Sequence, residues 1–281
     1  MHTELQAASA AQLKIGFIGG GNMATALIGG LAGKLTAAAN IHVVEINANA
    51  RQRLQQLGVH AVPVIDAGIA GCDVILLAVK PQQMREVAAQ LKPYLQTQLL
   101  LSIAAGIRAV DLSRWLGGYA AIVRSMPNTP ALIGRGITGM VALAGVSPAQ
   151  KASADAIMRA VGATVWLSDE ALIDPVTAVS GSGPAYVFYF IEAMQQAGVQ
   201  LGLTPAQATE LSIATFVGAA QLAAGSDEPV AVLRERVTSK GGTTYAALAS
   251  MQESGVAEAI GRAIAAASAR GKALGEEFGR D

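Results

Sequence analysis

The chain is short of most groups that perform strong chemistry. Its 281 residues include one cysteine, Cys72, and three histidines, His2, His42 and His60. A single thiol excludes an internal disulfide and fits a reducing compartment, with Cys72 expected as a small buried residue before a strand. Histidine and cysteine are absent beyond residue 168, so no zinc dehydrogenase site is expected there, nor any other metal site. Charge is scarce too: 14% of residues are charged, and 20 basic residues balance 20 acidic ones without a basic run. That balance excludes nucleic acid as an expected partner. Long apolar runs are lacking, since Lys80 ends "DVILLAV" and Glu192 ends "AYVFYFI" well short of a bilayer span. The first dozen residues, "MHTELQAASAAQ", have neither a basic start nor an apolar core. They read as a frayed end rather than a signal peptide, which makes the cytoplasm the expected location.

What the chain has in quantity is small and apolar. Hydrophobic residues make up 52% of it, and its mean hydropathy is +0.41. Much of this is alanine and glycine, which suits closely packed helices and a large subunit interface.

The stretch "KIGFIGGGNMATALIGGL", Lys14 to Leu31, reads as strand, glycine turn and helix. Gly19, Gly21 and Ala24 form a G-x-G-x-x-A pattern. The first permits a tight turn, the second a close ligand approach, and the third lets the helix lie against the strand. A helix starting near Asn22 points free N–H groups at a pyrophosphate. A second strand, "IHVVEIN", ends in Glu45, where such folds place an acid against ribose hydroxyls. An empty glycine turn is the alternative, but strand, helix, next strand and terminal acid follow in the order a dinucleotide site requires.

Further apolar runs are Asp73–Val79, Leu99–Ile107, Ala120–Met126, Gly139–Ala144 and Ala163–Leu167, with helical patterns over Pro81–Leu91 and Ser147–Val161. This alternation predicts a doubly wound, mostly parallel α/β domain over 12–168. From Asp169 the pattern turns all-helical: Ala185–Leu201, Pro205–Ala224, Pro229–Val237, Tyr245–Ser254 and Val256–Phe278. "SGSGP", "AGSDEP" and "TSKGGTT" are expected as glycine-rich breaks, so 169–281 forms a second, helical domain.

A carbonyl reductase needs a proton donor for the alkoxide it makes. This chain offers few, and Tyr245 has no lysine four residues on. A cyclic imine relieves the shortage, because a ring nitrogen that arrives protonated becomes a neutral amine on hydride addition. A hydroxyl that orients the nitrogen is then enough. The candidate lies in "TSKGGTTYAAL", where two threonines follow two glycines at a predicted helix start. Thr243 or Thr244 could face the ring nitrogen while backbone N–H groups hold a carboxylate; an ordinary Ser/Thr helix cap reads equally well. Lys80 after its strand could approach cofactor phosphates or be a solvated loop lysine. "RSMPNTP", Arg124 to Pro130, ends its strand where open α/β sheets bind ligands. The aromatics Tyr186 to Phe190 read as core or subunit interface, and His42 and His60 as structural.

With these pieces together, the chain from Lys14 onward resembles Δ1-pyrroline-5-carboxylate reductase, the last enzyme of proline biosynthesis. "GFIGGGNMA", "AVKPQ", "SIAAGI", "MPNTP", "AVSGSGPAYVF" and "VTSKGGTT" occur in that family's order and approximate spacing. The resemblance implies reduction of L-1-pyrroline-5-carboxylate to L-proline by NADPH or NADH. It also implies a homodimer formed through the helical domain, which can assemble into rings such as decamers. Thr244 matches the threonine that hydrogen-bonds the ring nitrogen, and Ser239, Gly242 and Thr243 match positions that hold the substrate carboxylate. Ile18, Gly19, Gly20, Gly21, Asn22, Met23 and Ala24 match cofactor-binding positions, as do Ala78, Val79, Lys80 and Pro81, and Ile103, Ala104 and Ala105. Glu45 departs from the Ser, Asn or Arg of many relatives and leans towards NADH or dual use, while the family's usual NADPH preference pulls the other way and leaves the choice open. A β-hydroxyacid dehydrogenase is the nearest rival, but its catalytic lysine has no counterpart in "SGSGPAYVFYFIEAMQQAG". A nucleotide-sensing scaffold would need neither Thr244 nor the SGSGPA turn.

Overall fold

The computed structural model describes residues 13–280. The frayed end expected over the first dozen residues, and the expected domain start at residue 12, lie outside the described residues. Eight strands form one sheet: β1 (Ile15–Ile18), β2 (Ile41–Val44), β3 (His60–Val62), β4 (Val74–Leu77), β5 (Leu99–Ser102), β6 (Ile122–Met126), β7 (Gly136–Ala142) and β8 (Gly162–Trp166). Their order is β3-β2-β1-β4-β5-β6-β7-β8. Every neighbouring pair is parallel except β6 with β7. Strands β1, β2, β4 and β5 are buried along their whole length, because helices cover both faces of a parallel sheet.

The covering helices are α1 (Asn22–Leu31), α2 (Ala48–Gln56), α3 (Ala67–Ala70), α4 (Met84–Leu91), α5 (Ala109–Trp115) and α6 (Pro148–Arg159). Helix α1 buries Ala24, Leu27, Ile28 and Leu31, one helical face at spacings of three and four residues. Ser147 and Gln150 form a reciprocal capping box at the start of α6, with Pro148 in its first turn. One apolar cluster packs Phe17 and Leu76 with α1, and a second packs Ile75 and Leu100 with Met84 of α4.

The second half adds α7 (Ile173–Val176), a π-helical turn (Thr177–Gly181), α8 (Gly183–Gln200), α9 (Pro205–Ala224), α10 (Val230–Arg236), α11 (Thr243–Glu253) and α12 (Val256–Phe278). No strand follows β8 among the described residues.

Several local expectations are corrected. β3 was not anticipated by any apolar run, since it has three residues and His60 at its start is exposed. The run Leu99–Ile107 is strand only to Ser102; a turn then takes the chain to α5, with Gly106 at φ +73°. β7 begins three residues before Gly139, in the apolar-poor "GIT". "SGSGP" is not a simple break, because the backbone passes through the π-turn almost directly into α8.

Contacts divide the chain into two compact units. One runs to Ser182 and takes the chain back from Ala267; the other is Gly183–Ala266. The composition changes at 169, but 169–182 belongs with the sheet for a physical reason. Buried Arg124 of β6 pairs with Glu170 at 2.9 Å and lies 3.8 Å from Asp174. The last turns of α12 join the same unit: Gly106 leaves room for Leu274 and Phe278.

Candidate active site

β1 has β2 on one side and β4 on the other, so successive crossovers leave it in opposite directions. The carboxyl end of such a strand is the switch point where open α/β sheets bind ligands. A cleft of about 550 Å³ opens there, lined by Ile18 to Gly21, Glu45, Asn47 and Ala78 to Lys80. Gly19 adopts φ +99°, and a Cβ on it would lie 2.6 Å from the Ala78 carbonyl oxygen. Only glycine fits that crossing. A Cβ on Gly20 would strike Leu54 at 2.5 Å, whereas one on Gly21 would meet open space at the mouth of the turn. Helix α1 follows with no side chain capping its first turn, which leaves N–H groups free for an anion. The turn, the cleft and the open helix start fit a dinucleotide pyrophosphate.

Glu45 stands at the end of β2 with both carboxylate oxygens engaged. Gly20 N–H donates to Oε2 at 2.8 Å, and Asn47 N–H donates to Oε1 at 2.7 Å. Arg51 of α2 donates to the carbonyls of Glu45 and Ile46 at 2.8 and 3.1 Å, fixing the loop that carries the acid. A carboxylate at this strand end is chemically suited to ribose hydroxyls and opposes a 2′-phosphate by charge.

Of the expected cofactor residues, Ile18, Gly19, Gly20, Gly21, Glu45, Ala78, Val79 and Lys80 line this cleft. Asn22 is exposed at the start of α1, while Ala24 is buried on its inner face, as a small residue against the strand should be. Met23 and Ile103 pack against the first apolar cluster, Ala104 belongs to the second, Ala105 is exposed and Pro81 opens a short 3₁₀ turn. These do not line the cleft. The cleft also takes Asn47, Val64, Ile65, Gln83 and Gln90, which the motifs missed. Their signal was topological: Val64 and Ile65 follow β3, and without β3 the cleft's far wall has no origin.

In the helical unit the glycine-threonine turn is built as an open helix start. Gly241 has φ +72°, and extended Gly242 occupies the cap position of α11. Thr243 and Thr244 therefore sit inside the first turn rather than capping it, which removes the ordinary-cap alternative. The first bond of the helix is Ala246 N–H to the Gly242 carbonyl at 3.1 Å, so the N–H groups of Thr243, Thr244 and Tyr245 have no helical acceptor. Neither threonine hydroxyl has a partner among the described residues; Thr244 is half-buried and Thr243 exposed. A Cβ on Gly242 would lie 2.6 Å from Ser239 Oγ, so that hydroxyl lies beside the same helix start.

The remaining reactive groups play structural parts. The rings of His42 and His60 are 4.9 Å apart, and His42 Nε2 lies 2.9 Å from Asp66. Burial holds the His42 imidazole below its usual range, with His60 adding to this and Asp66 opposing it. Burial, helped by Asp73, pushes the Cys72 thiol up to about 11, leaving it inert near neutral pH.

Fold and cleft together define a dinucleotide-dependent oxidoreductase with a Rossmann sheet and a helical C-terminal half. Residues 14–106 match the family model of NADP oxidoreductase, coenzyme F420-dependent, and residues 170–274 that of pyrroline-5-carboxylate reductase dimerisation. The chain is 46% identical to a pyrroline-5-carboxylate reductase of Pseudomonas aeruginosa, over 95% of this chain and 98% of the relative. A solved pyrroline-5-carboxylate reductase from Coxiella burnetii superposes with a TM-score of 0.88 at 39% identity, covering 94% of this chain and 98% of the other. One from Plasmodium falciparum, solved with NADP bound, gives 0.83 at 31% identity, covering 94% and 99%. The chain belongs to the pyrroline-5-carboxylate reductase family.

Proposed function

We propose that this protein reduces the ring C=N of L-1-pyrroline-5-carboxylate to L-proline with NAD(P)H. The dinucleotide, when bound, supplies a hydride to the imine carbon. The chain's own residues bind and orient. Gly19 to Gly21 and the start of α1 take the pyrophosphate, Lys80 approaches the phosphates, and Glu45 accepts from the adenosine ribose. The Thr244 hydroxyl hydrogen-bonds the ring nitrogen, while Ser239, Gly242 and Thr243 hold the substrate carboxylate; the Thr243 N–H is free for it, and the Gly242 N–H closes the turn onto the Ser239 carbonyl at 3.0 Å. Since the nitrogen carries its proton on arrival, no strong acid is required. The supporting observation is the threonine turn, which supplies hydroxyl and N–H donors free of partners in a chain of this family.

The helical unit is read as the dimerisation surface of a homodimer, which can assemble further into decamers, in the cytoplasm. Among the described residues no helix is long and apolar enough to cross a membrane. Purified protein should oxidise NAD(P)H with pyrroline-5-carboxylate and not with hydroxyacid-type keto substrates. Turnover no greater than background at saturating substrate would refute the reading.

A further inference from the structure

We infer that Asn128 is a positioning residue whose carboxamide gives the Ser180 carbonyl the donor that Pro184 cannot. In an α-helix the carbonyl of residue 180 accepts the N–H of residue 184. Here residue 184 is proline and has no N–H. A helix interrupted in this way leaves an acceptor to be satisfied elsewhere, and buried backbone acceptors rarely go without a partner. Asn128 Nδ2 donates to the Ser180 carbonyl at 3.2 Å. The orientation of the carboxamide is set by its other end, because the Ile137 N–H donates to Oδ1 at 3.0 Å and can face only an acceptor. Asn128 itself is buried, and both bonds are partly shielded from water.

The neighbours make this a joint rather than an isolated bond. Asn128 lies in "MPNTP", directly after β6, at the ligand-binding end of the sheet. Ser180 lies in the π-turn Thr177–Gly181, where Ser182 N–H reaches back five residues to the Thr177 carbonyl at 2.8 Å. π-turns are rare, and they recur at functional sites where a helix must present its backbone out of α register. Gly181 adds a close approach: a Cβ there would lie 2.6 Å from the methyl carbon of Met126, the last residue of β6. The carboxamide thus holds the wide turn against the loop at the end of β6. None of the groups it touches lines the dinucleotide cleft.

For catalysis this rests on the proposed reductase activity, so the test has one readout that does not need substrate. Asn128→Asp keeps the acceptor for Ile137 and removes the donor to Ser180. Amide hydrogen exchange over residues 177–186 should quicken at least about tenfold in this variant, with β6 unchanged. Its kcat/KM for pyrroline-5-carboxylate should fall about tenfold, with the NAD(P)H KM within about twofold of the parent. Pro184→Ala restores a backbone N–H. Alone it should stay within about twofold of the parent, but combined with Asn128→Asp it should recover at least about threefold in activity and slow the exchange again. Parent-like exchange over 177–186 in Asn128→Asp, or strictly additive losses in the double variant, would overturn the inference. If the parent fails to turn over pyrroline-5-carboxylate, the activity reading falls, and the exchange measurement still decides the role of Asn128.

Discussion

The sheet unit and the helical unit place their apolar side chains in opposite ways. In the first, Phe17, Leu76, Leu100 and their neighbours are sealed within two clusters of one chain. In the second, α8, α10 and α11 have no buried residue, and α9 buries only Ala208 and Ser212. Phe188 and Tyr189 are 66% and 72% exposed on consecutive positions of α8. Leu211, Val217 and Leu222 are exposed along α9. Large apolar side chains exposed in this number are a mark of an interface. The sheet unit completes its own core; the helical unit leaves its apolar side chains exposed within one chain, in a segment that matches the reductase dimerisation model, and the proposed homodimer would cover them.

The strongest way to break this contrast is to charge each unit in turn. Phe188→Glu with Tyr189→Glu should abolish the dimer in sedimentation and lower activity by about a hundredfold or more, since a folded protomer no longer gains stability from its partner. Val110→Glu on α5 provides the comparison, as Val110 is 54% exposed in the sheet unit. It should leave assembly and activity unaltered. A charged α8 that still sediments as an active dimer would remove the helical unit from the interface.

A second test separates the units by function. Thr244→Ala should lower kcat/KM for pyrroline-5-carboxylate by roughly tenfold to a thousandfold, as when one transition-state hydrogen bond is lost. Binding of NAD(P)H should be nearly unchanged, because the cofactor cleft belongs to the sheet unit. Thr244→Ser keeps the hydroxyl and should retain much more activity. Equal behaviour of the alanine and serine variants would reduce Thr244 to a helix-start residue.

The two units were also unequally legible in the sequence. Strands buried on both faces show it in their composition: β1 and β4 are unbroken runs without a polar side chain, β2 and β5 each carry one polar residue, and the G-x-G-x-x-A turn carries its own geometric demand. β3 stayed hidden because three residues, one exposed, one buried and one half-buried, make no pattern, and the cleft wall built by Val64 and Ile65 was hidden with it. In the helical unit the elements were readable, but the path between them was not. Glycines in "SGSGP" read as a break, yet only Ser182 separates the π-turn from α8, and a distant carboxamide serves the Ser180 carbonyl. The shift of 169–182 into the sheet unit depends on Arg124 meeting Glu170, a pair 46 residues apart that no local pattern encodes.

Glu45 offers a narrower test, confined to the sheet unit. If its carboxylate accepts from the adenosine ribose, Glu45→Ser should raise kcat/KM for NADPH relative to NADH by roughly tenfold, equivalent to about 1.4 kcal/mol of relieved repulsion. The substrate KM should not move. An unchanged cofactor ratio would leave Glu45 as a brace of the glycine turn, holding Gly20 and Asn47 N–H groups and nothing more.

The smallest effect expected is on stability alone, at the far edge of the sheet unit. Asp155 on α6 accepts from Arg159 Nε at 2.5 Å, Thr164 Oγ1 at 2.7 Å and Trp166 Nε1 at 3.0 Å, tying α6 to edge strand β8. Burial by itself pushes this carboxyl up, but the three hydrogen bonds and the Arg159 charge hold it below its usual value. A carboxyl lowered in the folded state contributes stability that is fully present above its unfolded value of about 3.9 and is lost as pH falls through the folded one. Asp155→Asn leaves an oxygen for Thr164 and Trp166 but faces Arg159 without charge. It should cost about 1 kcal/mol at neutral pH, or about 2–4 °C in Tm. The gap between variant and parent should begin to narrow as pH falls through the unfolded value of about 3.9, and close once pH has fallen through the lowered folded one. Sedimentation and cofactor preference should not change. A Tm difference that persists undiminished into acid would assign the loss to packing at β8, and not to the charge of Asp155.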